Sequence, residues 1–360
     1  MEQLYALGVS CIEFIQNWFS EYDGYFETIN NLSNPQYAHE ILFPLMSIVD
    51  SVFAAQLLLC ISFGSWLNAV MKWWLLEDRP YWWVRTTNFY TEAQRPRLMQ
   101  THQTCETGPG SPSGHSATIA TLMLLVIMWL QHVMNDRKYY VSWWRYVVYP
   151  LTGAAILSVM FARMFVATHF PHQVVLGAFI GSFLAPALCI YVSDPYIWQY
   201  GFYTNYKVSK AIAWHVFSAV VMIAIGVLTY YSLKLCGLDP MWTVKLAFRW
   251  CEYPENIHVS TTPMFALVQS TASLCGWALC VTPAIAKYRH YTKNRSLLIS
   301  SFCTIAIVYF IKQLQSNISK ESAFHFYIAN FVITAVTPAL FLRLVPVVAM
   351  WPFSGKEKAE

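Results

Sequence analysis

Residues 115–134 read HSATIATLMLLVIMWLQHVM, a run with no Asp, Glu, Lys or Arg. About 20 mostly apolar residues are needed for a helix to cross the roughly 30 Å hydrocarbon core of a bilayer. The run therefore predicts a transmembrane helix. Similar runs predict further spans near 54–76, 145–167, 172–193, 210–232, 262–286, 296–314 and 324–348.

The segment from 36 to 76 holds either one long span or two. Pro44, Asp50 and Gly64 interrupt its apolar character, and proline and glycine disfavour a continuous helix interior. We therefore expect a short first span at about 36–53, which makes about nine transmembrane helices in total.

The composition supports this all-α, polytopic membrane fold. Apolar residues make up 56% of the chain and charged residues only 12%, against about 25% charged in an average soluble domain. Soluble enzymes, coiled coils and disordered chains are therefore excluded. The chain has no internal repeat and no low-complexity linker, so we expect one integral-membrane domain over residues 1–360.

Charge and cysteine content exclude several other classes. The net charge is +4 and no basic stripe is present, so no nucleic-acid partner is expected. The nine cysteines form no CxxC pair, and most lie in apolar runs, which predicts neither a zinc site nor a disulfide framework. No metal and no cofactor are expected. Glu2 and Glu13 stand where a cleaved signal peptide would carry basic residues, so no such peptide is expected.

The distribution of basic residues predicts the orientation. Short cytosolic loops are enriched in Lys and Arg, whereas residues 1–35 contain neither. With nine spans the N-terminus is then luminal, the C-terminus is cytosolic and the lipid bilayer surrounds the helices. The basic residues of the two loops that we expect in the cytosol are Arg137, Lys138, Arg145, Lys287, Arg289, Lys293 and Arg295.

Two short motifs are typical of the endoplasmic reticulum membrane. Asn31-Leu32-Ser33 is an N-glycosylation sequon on the luminal N-terminal segment. The second sequon begins at Asn294, which is expected in the cytosol and therefore unmodified. Lys356 and Lys358 resemble a dilysine retention signal; the alternative is a solvated tail that contains two lysines by chance.

Ionisable groups at the ends of membrane spans are costly to desolvate and call for a purpose. Lys72 lies near the luminal end of the second expected span and Arg79 follows seven residues later. Seven residues are two helical turns, so both lie on one face if the helix continues that far. The alternative is that each side chain only reaches for the membrane interface.

Two further clusters are predicted at the same membrane face. Pro112-Ser113-Gly114-His115 stands at the start of a span, where helix N–H groups and the helix dipole favour an anion. Arg163 ends the next span, and His169 follows six residues later. Singly, these histidines could be structural and the Pro-Ser-Gly a turn, but together the three clusters predict a phosphate pocket with a nucleophile and an acid.

These clusters resemble a known signature. Lys72-x6-Arg79-Pro80, Pro112-Ser113-Gly114-His115 and Arg163-x5-His169 are similar to the three motifs of the type 2 phosphatidic acid phosphatase (PAP2) superfamily, which the vanadium haloperoxidases also resemble. Longer strings resemble the glucose-6-phosphatase catalytic subunits, and they cover most of the chain: RPYWWV at 79–84, CETGPGSPSGH at 105–115, HFPHQ at 169–173 and RWCE to IHV between 249 and 259. The resemblance implies a PAP2-type helical phosphatase core at about 54–195.

At two positions the chain departs from the superfamily pattern. Ala162 replaces the serine that usually precedes the arginine, so a hydroxyl hydrogen bond to phosphate is absent. Gln173 stands where the wider superfamily has Asp, four residues after His169, as in the glucose-6-phosphatases. Its amide oxygen can accept a hydrogen bond from the imidazole, but it cannot stabilise an imidazolium as a carboxylate does.

The resemblance implies a role for each residue of the pocket. His169 would be the nucleophile that forms a phosphohistidine, and His115 the proton donor; chemistry alone would allow these two roles to be exchanged. Glu106, Thr107 and Trp82 are candidates for contacts to the sugar, although an interfacial aromatic belt explains the tryptophan equally well. The groups expected to bind the phosphate are Lys72, Arg79, Arg163 and the Ser113 and Gly114 N–H groups, with Gln173 supporting His169.

The resemblance implies hydrolysis of glucose 6-phosphate at the luminal face of the endoplasmic reticulum, with a sugar-phosphate transporter as functional partner. A lipid phosphate phosphatase would use the same motifs, although the polar and aromatic loop 77–114 favours a water-soluble substrate. A transporter or channel would use the cations but has no need of two histidines. For residues 233–261 and the last three spans only structural roles are expected.

Overall fold

A computed structural model describes residues 1–136, 143–198, 208–281 and 296–350. This part of the chain is helical and contains no strand, which confirms the predicted all-α class. Its α-helices are α1 (Glu2–Trp18), α2 (Asp23–Leu32), α3 (Pro35–Tyr37), α4 (Phe43–Val49), α5 (Ser51–Leu75), α6 (Pro80–Thr86), α7 (Gly114–Asp136), α8 (Trp143–Phe165), α9 (Pro171–Leu188), α10 (Val208–Leu235), α11 (Trp242–Trp250), α12 (Pro263–Cys280), α13 (Leu297–Ser316), α14 (Ala323–Ala339) and α15 (Val345–Met350).

Eight helical segments of the described residues are long and apolar enough to cross a membrane. They match the eight long runs of the sequence, and the chain is a multi-pass membrane protein. The segments are Ser51–Thr86, Gly114–Met134, Trp143–Phe165, Pro171–Ser193, Ile212–Leu235, Pro263–Cys280, Leu297–Ser316 and Ala323–Met350.

The short first span expected at 36–53 is not among these eight segments. The stretch is helical, but it is divided into α3, a π-helical turn at Ala38–Leu42, and α4. The break lies at Asp50, whose backbone is extended and whose carboxylate accepts hydrogen bonds from the N–H groups of Val52 and Phe53. This carboxylate caps the start of α5, so a new helix begins there.

Several features used to predict the orientation lie outside the described residues. They are the basic loop residues 137, 138, 287, 289, 293 and 295, the sequon at Asn294, and the tail lysines Lys356 and Lys358. The orientation therefore stays a prediction. Asn31 is described, and it lies exposed in the last turn of α2.

The chain divides into two compact units. Unit 1 comprises Met1–Pro35, Gly64–Ala185 and Gly226–Leu267, and unit 2 comprises Gln36–Phe63, Pro186–Ile225 and Val268–Glu360. Every residue of the predicted phosphate pocket belongs to unit 1. The residue ranges of both units are discontinuous, because the chain leaves and re-enters each one.

The hydrophobic core of unit 1 joins the N-terminal helices to the motif-bearing segments. Tyr5 of α1 stacks on Phe170 with ring centroids 4.5 Å apart and meets Trp83 edge to face. Phe26 of α2 stacks on Phe165 at the end of α8. Aromatic pairs of this kind add about 0.5–1.5 kcal/mol each beyond area burial. The N-terminal helices thus fix the segment that carries His169.

Two glycines of α9 allow that helix to approach α7 closely. A Cβ atom on Gly177 would lie 2.4 Å from the Ser113 carbonyl oxygen, and one on Gly181 would lie 2.1 Å from the Ala117 carbonyl oxygen. Small residues four apart are the usual means by which membrane helices reach backbone contact. This contact places the start of α7, with His115, beside the start of α9.

Unit 2 encloses a cavity of its own, lined by α4, α5, α12, α13 and α14. Glu40 and Lys312 form an ion pair at this cavity, with their charged atoms 3.3 Å apart. Much of the remaining polar lining is uncharged, with Gln269 and Thr334 among its residues.

Candidate active site

Arg79 lies directly before α6 and is fully buried. Its Nε donates to the Gly108 carbonyl at 2.6 Å and one terminal nitrogen donates to the Pro109 carbonyl at 3.3 Å. The other terminal nitrogen donates to the Thr168 carbonyl at 3.2 Å and lies 2.9 Å from a Glu106 carboxylate oxygen. The guanidinium is therefore held rigidly by the loop that precedes His115.

Lys72 reaches the same loop, and its ammonium donates to the Pro109 carbonyl at 3.0 Å. Lys72 and Arg79 were predicted on one face only if the helix continued to Arg79, and it does not continue that far. Helix α5 ends at Leu75, and Leu76 adopts a left-handed conformation with φ of 51°. Arg79 therefore arrives through a linker, yet both cations contact the carbonyl of Pro109.

Arg163 occupies the last turn of α8 and is fully buried. Its two terminal nitrogens donate to the Asn30 side-chain oxygen and to a carboxylate oxygen of Glu106. Its Nε has no hydrogen-bond partner within the described part of the chain. A buried donor without a partner costs about 1–3 kcal/mol, so this N–H is suited to receive an anion.

Glu106 lies at the centre of the charged groups. Besides its contacts with Arg79 and Arg163, its carboxylate oxygens lie 3.7 Å from His115 Nδ1 and 3.9 Å from His169 Nε2. Burial alone would raise the pKa of the Glu106 carboxyl, but Arg163 and Arg79 outweigh burial and hold this pKa well below its usual value. Glu106 is therefore ionised at neutral pH.

His169 lies between α8 and α9, and its side chain is fully buried. Its Nδ1 is 2.7 Å from the Gly110 carbonyl oxygen, which can only accept, so Nδ1 carries the proton. Nε2 is then the unprotonated nitrogen, and it accepts from Arg79 at 3.3 Å. Burial, and then Arg79 and Arg163, hold the pKa of His169 well below its usual value, which favours this neutral form.

Gln173 supports His169 mainly through the backbone. Its side-chain oxygen accepts from the Phe170 N–H at 3.1 Å and is 3.4 Å from His169 Nδ1, which is longer than the bond to Gly110. Its side-chain nitrogen donates to Glu77 and to the Asp78 carbonyl, both at 2.9 Å. A backbone carbonyl therefore holds the imidazole, with the glutamine as a second contact.

Gly110 must be a glycine for this arrangement to form. A Cβ atom there would lie 2.3 Å from the Asp78 carbonyl oxygen and 2.5 Å from the Gln173 side-chain nitrogen. Both distances are well below van der Waals contact, so any larger residue would displace the carbonyl that fixes His169.

The Pro-Ser-Gly-His motif begins α7, as predicted. His115 is in its first turn, with 12% of its side chain exposed. The Ser113 N–H, expected to donate to phosphate, donates to the Gln173 carbonyl at 3.1 Å, and the Ser113 hydroxyl accepts from Ser116. Ser113 thus joins α7 to α9, and Gly114 is the first residue of α7.

Comparisons with known proteins agree with this geometry. A family model for the PAP2 superfamily matches residues 53–197, which include Lys72, Arg79, His115, Arg163 and His169. Over its whole length the chain is similar to glucose-6-phosphatase catalytic subunit 1 of Haplochromis nubilus, with 30% identity over 352 residues and 96% of each chain covered.

The chain belongs to the glucose-6-phosphatase family.

Mammalian relatives show the same likeness. Glucose-6-phosphatase catalytic subunit 1 of Felis catus is 29% identical over 357 residues, covering 96% of this chain and 95% of the relative. Human glucose-6-phosphatase 2 is 29% identical over 356 residues, covering 96% of each. No solved structure matches the chain. The predicted family and the predicted enzyme class, a phosphatase, are confirmed.

Two of the three expected sugar contacts are buried in this glucose-6-phosphatase family member. The Trp82 indole is fully buried, and its N–H donates to the Asp78 carboxylate at 2.7 Å. The guanidinium carbon of Arg79 lies 6.0 Å from the centroid of the indole ring. The Thr107 hydroxyl lies 2.9 Å from that of Thr261. Trp82 packs against Arg79 and is not exposed. Its burial does not support the predicted contact with a sugar.

The sequence predicted no disulfide framework, and this prediction is wrong. Cys105 and Cys251 form a disulfide with Cα atoms 5.6 Å apart. The two cysteines are 146 residues apart in sequence and no CxxC spacing marks them, so the pairing depends on the fold. The segment 233–261, expected to have only a structural role, is thereby tied to the residue next to Glu106.

Three residues of the site were not identified from the sequence. Asn30 accepts from Arg163, Glu77 accepts from Gln173 and from His172, and Thr261 contacts Thr107. Asn30 and Glu77 carry no motif that would have revealed them. Thr261 lies two residues after the RWCE to IHV string, which ends at Val259, so that resemblance was the one available signal.

Metal-ligating side chains do not cluster in the described ranges. No group of three or more His, Cys, Asp or Glu residues in 1–136, 143–198, 208–281 or 296–350 could hold a metal ion. The charged groups that do converge are the cations Lys72, Arg79 and Arg163 around Glu106, a set that suits an anionic ligand.

Proposed function

We propose that this protein hydrolyses glucose 6-phosphate to glucose and inorganic phosphate through a phosphohistidine intermediate. The observation that carries the proposal is the state of His169. Its Nδ1 proton is held by the Gly110 carbonyl at 2.7 Å, and its Nε2 lone pair lies beside Arg79. A neutral imidazole with a defined free nitrogen is the nucleophile that this reaction requires.

In the first step, His169 Nε2 attacks the phosphorus atom and a P–N bond forms. The bond between phosphorus and the sugar oxygen breaks, and a protonated His115 gives its proton to that oxygen as glucose leaves. In the second step, His115 takes a proton from water, the water oxygen attacks phosphorus, and the P–N bond breaks. Inorganic phosphate is released, and His169 and His115 return to their starting states.

The cations supply the electrostatic part of the mechanism. Charge on the transferring phosphoryl group is spread over three oxygens, and Lys72, Arg79 and Arg163 are buried around the site. Donors that are already oriented cost no reorganisation when the charge develops. The N–H groups of the first turn of α7, including that of Gly114, would add the positive end of a helix dipole.

The site is proposed to face the lumen of the endoplasmic reticulum, with the N-terminus luminal and the C-terminus cytosolic. The Cys105–Cys251 disulfide beside Glu106 supports this orientation, because disulfides persist in oxidising compartments. The sequon at Asn31 is exposed in unit 1, and we propose that it is glycosylated. A luminal site implies functional coupling to a sugar-phosphate transporter.

The proposal is tested by phosphate release from detergent-permeabilised membranes that contain the full chain. Glucose 6-phosphate and phosphatidate are compared, because a lipid phosphate phosphatase would act on the second. His169→Ala is the test variant and His102→Ala the matched control, since His102 is an exposed histidine of the same loop region. We expect release from the sugar phosphate that the first variant abolishes and the second retains.

The intermediate is tested separately by brief reaction with glucose 6-phosphate labelled with ³²P. We expect label on the protein that is stable in alkali and lost in acid, and that is absent from His169→Ala. Release from phosphatidate alone would replace the substrate assignment, and label retained in His169→Ala would overturn the assignment of the nucleophile.

A further inference from the structure

The Glu106 carboxylate occupies the position that an anionic ligand would be expected to take. Its oxygens contact Arg79 and Arg163 and lie within 4 Å of a ring nitrogen of each histidine, His115 and His169. These are the groups that the proposed mechanism assigns to the phosphoryl group. Both arginines are fully buried, whereas the Glu106 side chain is 16% exposed.

We propose that Glu106 is an internal anion, which pairs with Arg79 and Arg163 in the substrate-free enzyme and is exchanged for the phosphate group of the substrate. This inference rests on the proposed function, because it assigns the ligand of the same site. The N–H groups that now donate to the carboxylate are those that would donate to phosphate oxygens.

In the substrate-free enzyme, the Glu106 carboxylate stabilises the folded protein by neutralising the buried arginines. Two buried guanidinium groups without a counter-charge would strongly destabilise the folded protein. Glu106 removes this penalty and keeps both guanidinium groups oriented before substrate arrives. Phosphate must then displace the carboxylate, so Glu106 weakens the binding of any simple anion, inorganic phosphate included.

The main chain of Glu106 is held firmly, so the exchange requires only a movement of its side chain. Its N–H donates to the Thr104 carbonyl at 2.8 Å and its carbonyl accepts from the Tyr81 hydroxyl at 2.8 Å. The preceding residue, Cys105, is fixed by the disulfide to Cys251. A side chain on a fixed backbone can rotate away and return without refolding the loop.

Displacement also gives the carboxylate a second role. Once phosphate takes its place on the arginines, Glu106 is available to accept hydrogen bonds from sugar hydroxyl groups. Hydrogen bonds from the hydroxyl groups of a sugar phosphate would replace the ion pairs that Glu106 loses. Inorganic phosphate has no sugar hydroxyl groups and cannot replace them. Glu106 would in this way favour a sugar phosphate over a bare anion.

The test measures the affinity of the purified full chain for inorganic phosphate by calorimetry or by ligand-dependent thermal stabilisation. Glu106→Gln keeps the size of the side chain but removes its charge. We expect the Kd for phosphate to fall at least about tenfold in this variant. A role confined to maintaining the fold predicts the opposite, because a disturbed site binds phosphate more weakly.

Two further variants keep the test decisive. Glu92→Gln is the matched control, because Glu92 is an exposed acid of the same loop region, and its Kd for phosphate should equal that of wild type. Glu106→Asp keeps the charge on a shorter side chain, so its Kd should lie between those of wild type and Glu106→Gln. It also provides the comparison if Glu106→Gln does not fold.

The outcomes separate this inference from the proposed function. Equal or weaker phosphate binding by the folded Glu106 variants, with glucose 6-phosphate hydrolysis by wild type intact, overturns the internal anion alone. Absence of phosphate binding in wild type and in all variants, together with absence of hydrolysis, overturns both. Tighter binding in Glu106→Gln supports the exchange, even where its turnover is reduced.

Discussion

Units 1 and 2 each enclose polar groups, but they treat charge differently. In unit 1, Arg79 and Arg163 are fully buried, and backbone carbonyls, an amide and one carboxylate satisfy most of their donors. In unit 2, the Lys312 and Glu40 side chains at the cavity are 52% and 33% exposed, and they pair with each other. Only the first arrangement forces charged groups into an environment of low dielectric constant.

This difference indicates where chemistry is to be expected. A buried cation with a fixed hydrogen-bond pattern is already oriented for an anion, and its interactions are not weakened by solvent. An exposed ion pair is screened and costs side-chain entropy to hold, so it contributes little. The contrast predicts that substitutions of the buried Arg79 and Arg163 affect turnover strongly, whereas those of the exposed pair Lys312 and Glu40 do not.

Among substitutions of the permanently charged groups, the largest effect is expected from Arg163→Lys. Lysine keeps the charge but lacks the planar fork that donates to Asn30 and Glu106 at once. Removing one oriented donor from a charge-stabilising site costs about 10²–10³ in rate. We therefore expect kcat/KM for glucose 6-phosphate to fall at least about 100-fold. If the variant kept a third of the wild-type kcat/KM, the buried charge of Arg163 would not be important for turnover, and the contrast between the two units would be wrong.

The second effect concerns the disulfide of unit 1. Cys105→Ser and Cys251→Ser should each lower the free energy of unfolding by about 2–4 kcal/mol, because the bridge closes a long loop in the unfolded chain. The double variant should lose no more than either single one, since both remove the same bond. Thermal unfolding in detergent measures this, and additive losses would show that the two cysteines act separately.

A third prediction uses pH to test whether the buried site holds a neutral His169. Its folded-state pKa lies well below the unfolded value of about 6.5, so below pH 6.5 the unfolded chain binds a proton that the folded chain does not. The free energy of unfolding is therefore unaffected by this group above pH 6.5. It decreases as the pH is lowered below 6.5, by about 1.4 kcal/mol at pH 5.5.

The control for this prediction is His169→Gln, which cannot titrate. Unfolding temperatures of wild type and variant are compared at pH 7.5 and pH 5.5, so that contributions common to both cancel. Wild type should lose more stability than the variant on acidification. Equal losses would mean that His169 is charged in the folded protein at pH 5.5.

The smallest effect is expected in unit 2. Lys312→Gln and Glu40→Gln remove an exposed pair that contributes about 0–1 kcal/mol. We expect kcat/KM within about twofold of wild type and unfolding temperatures nearly unchanged. A loss comparable to that of Arg163→Lys would show that the charges of unit 2 also serve turnover, and would remove the contrast between the units.

The sequence predicted most of the helices that span the membrane and most of the charged groups in the site. Long apolar runs and short sequence motifs are local features. The eight spans and the positions of Lys72, Arg79, Arg163 and His169 could therefore be identified without coordinates. The stretch 36–53 is the exception. It is helical but ends at Val49, before Asp50, and it is not among the eight segments long and apolar enough to cross a membrane.

Details of the site depended on contacts between distant segments. Glu106 was predicted as a sugar contact, which stays a prediction, and in this structure its carboxylate lies between Arg79 and Arg163, because α8 and the loop before α7 meet there. Ser113 was expected to donate to phosphate, yet its N–H is used by Gln173 of α9. The pairs Glu106–Arg163 and Ser113–Gln173 could not be inferred from local spacing, since 57 and 60 residues separate their members.

Hydrophobic length and family motifs are properties of neighbouring residues, so the amino-acid sequence is enough to identify this protein as a multi-pass helical membrane phosphatase. Tertiary structure alone decided which carbonyl fixes the His169 tautomer, which carboxylate neutralises the arginines and which two of the nine cysteines pair. The physical reason is that hydrogen bonds, ion pairs and disulfides depend on distance in space, and only the packing of the helices sets that distance.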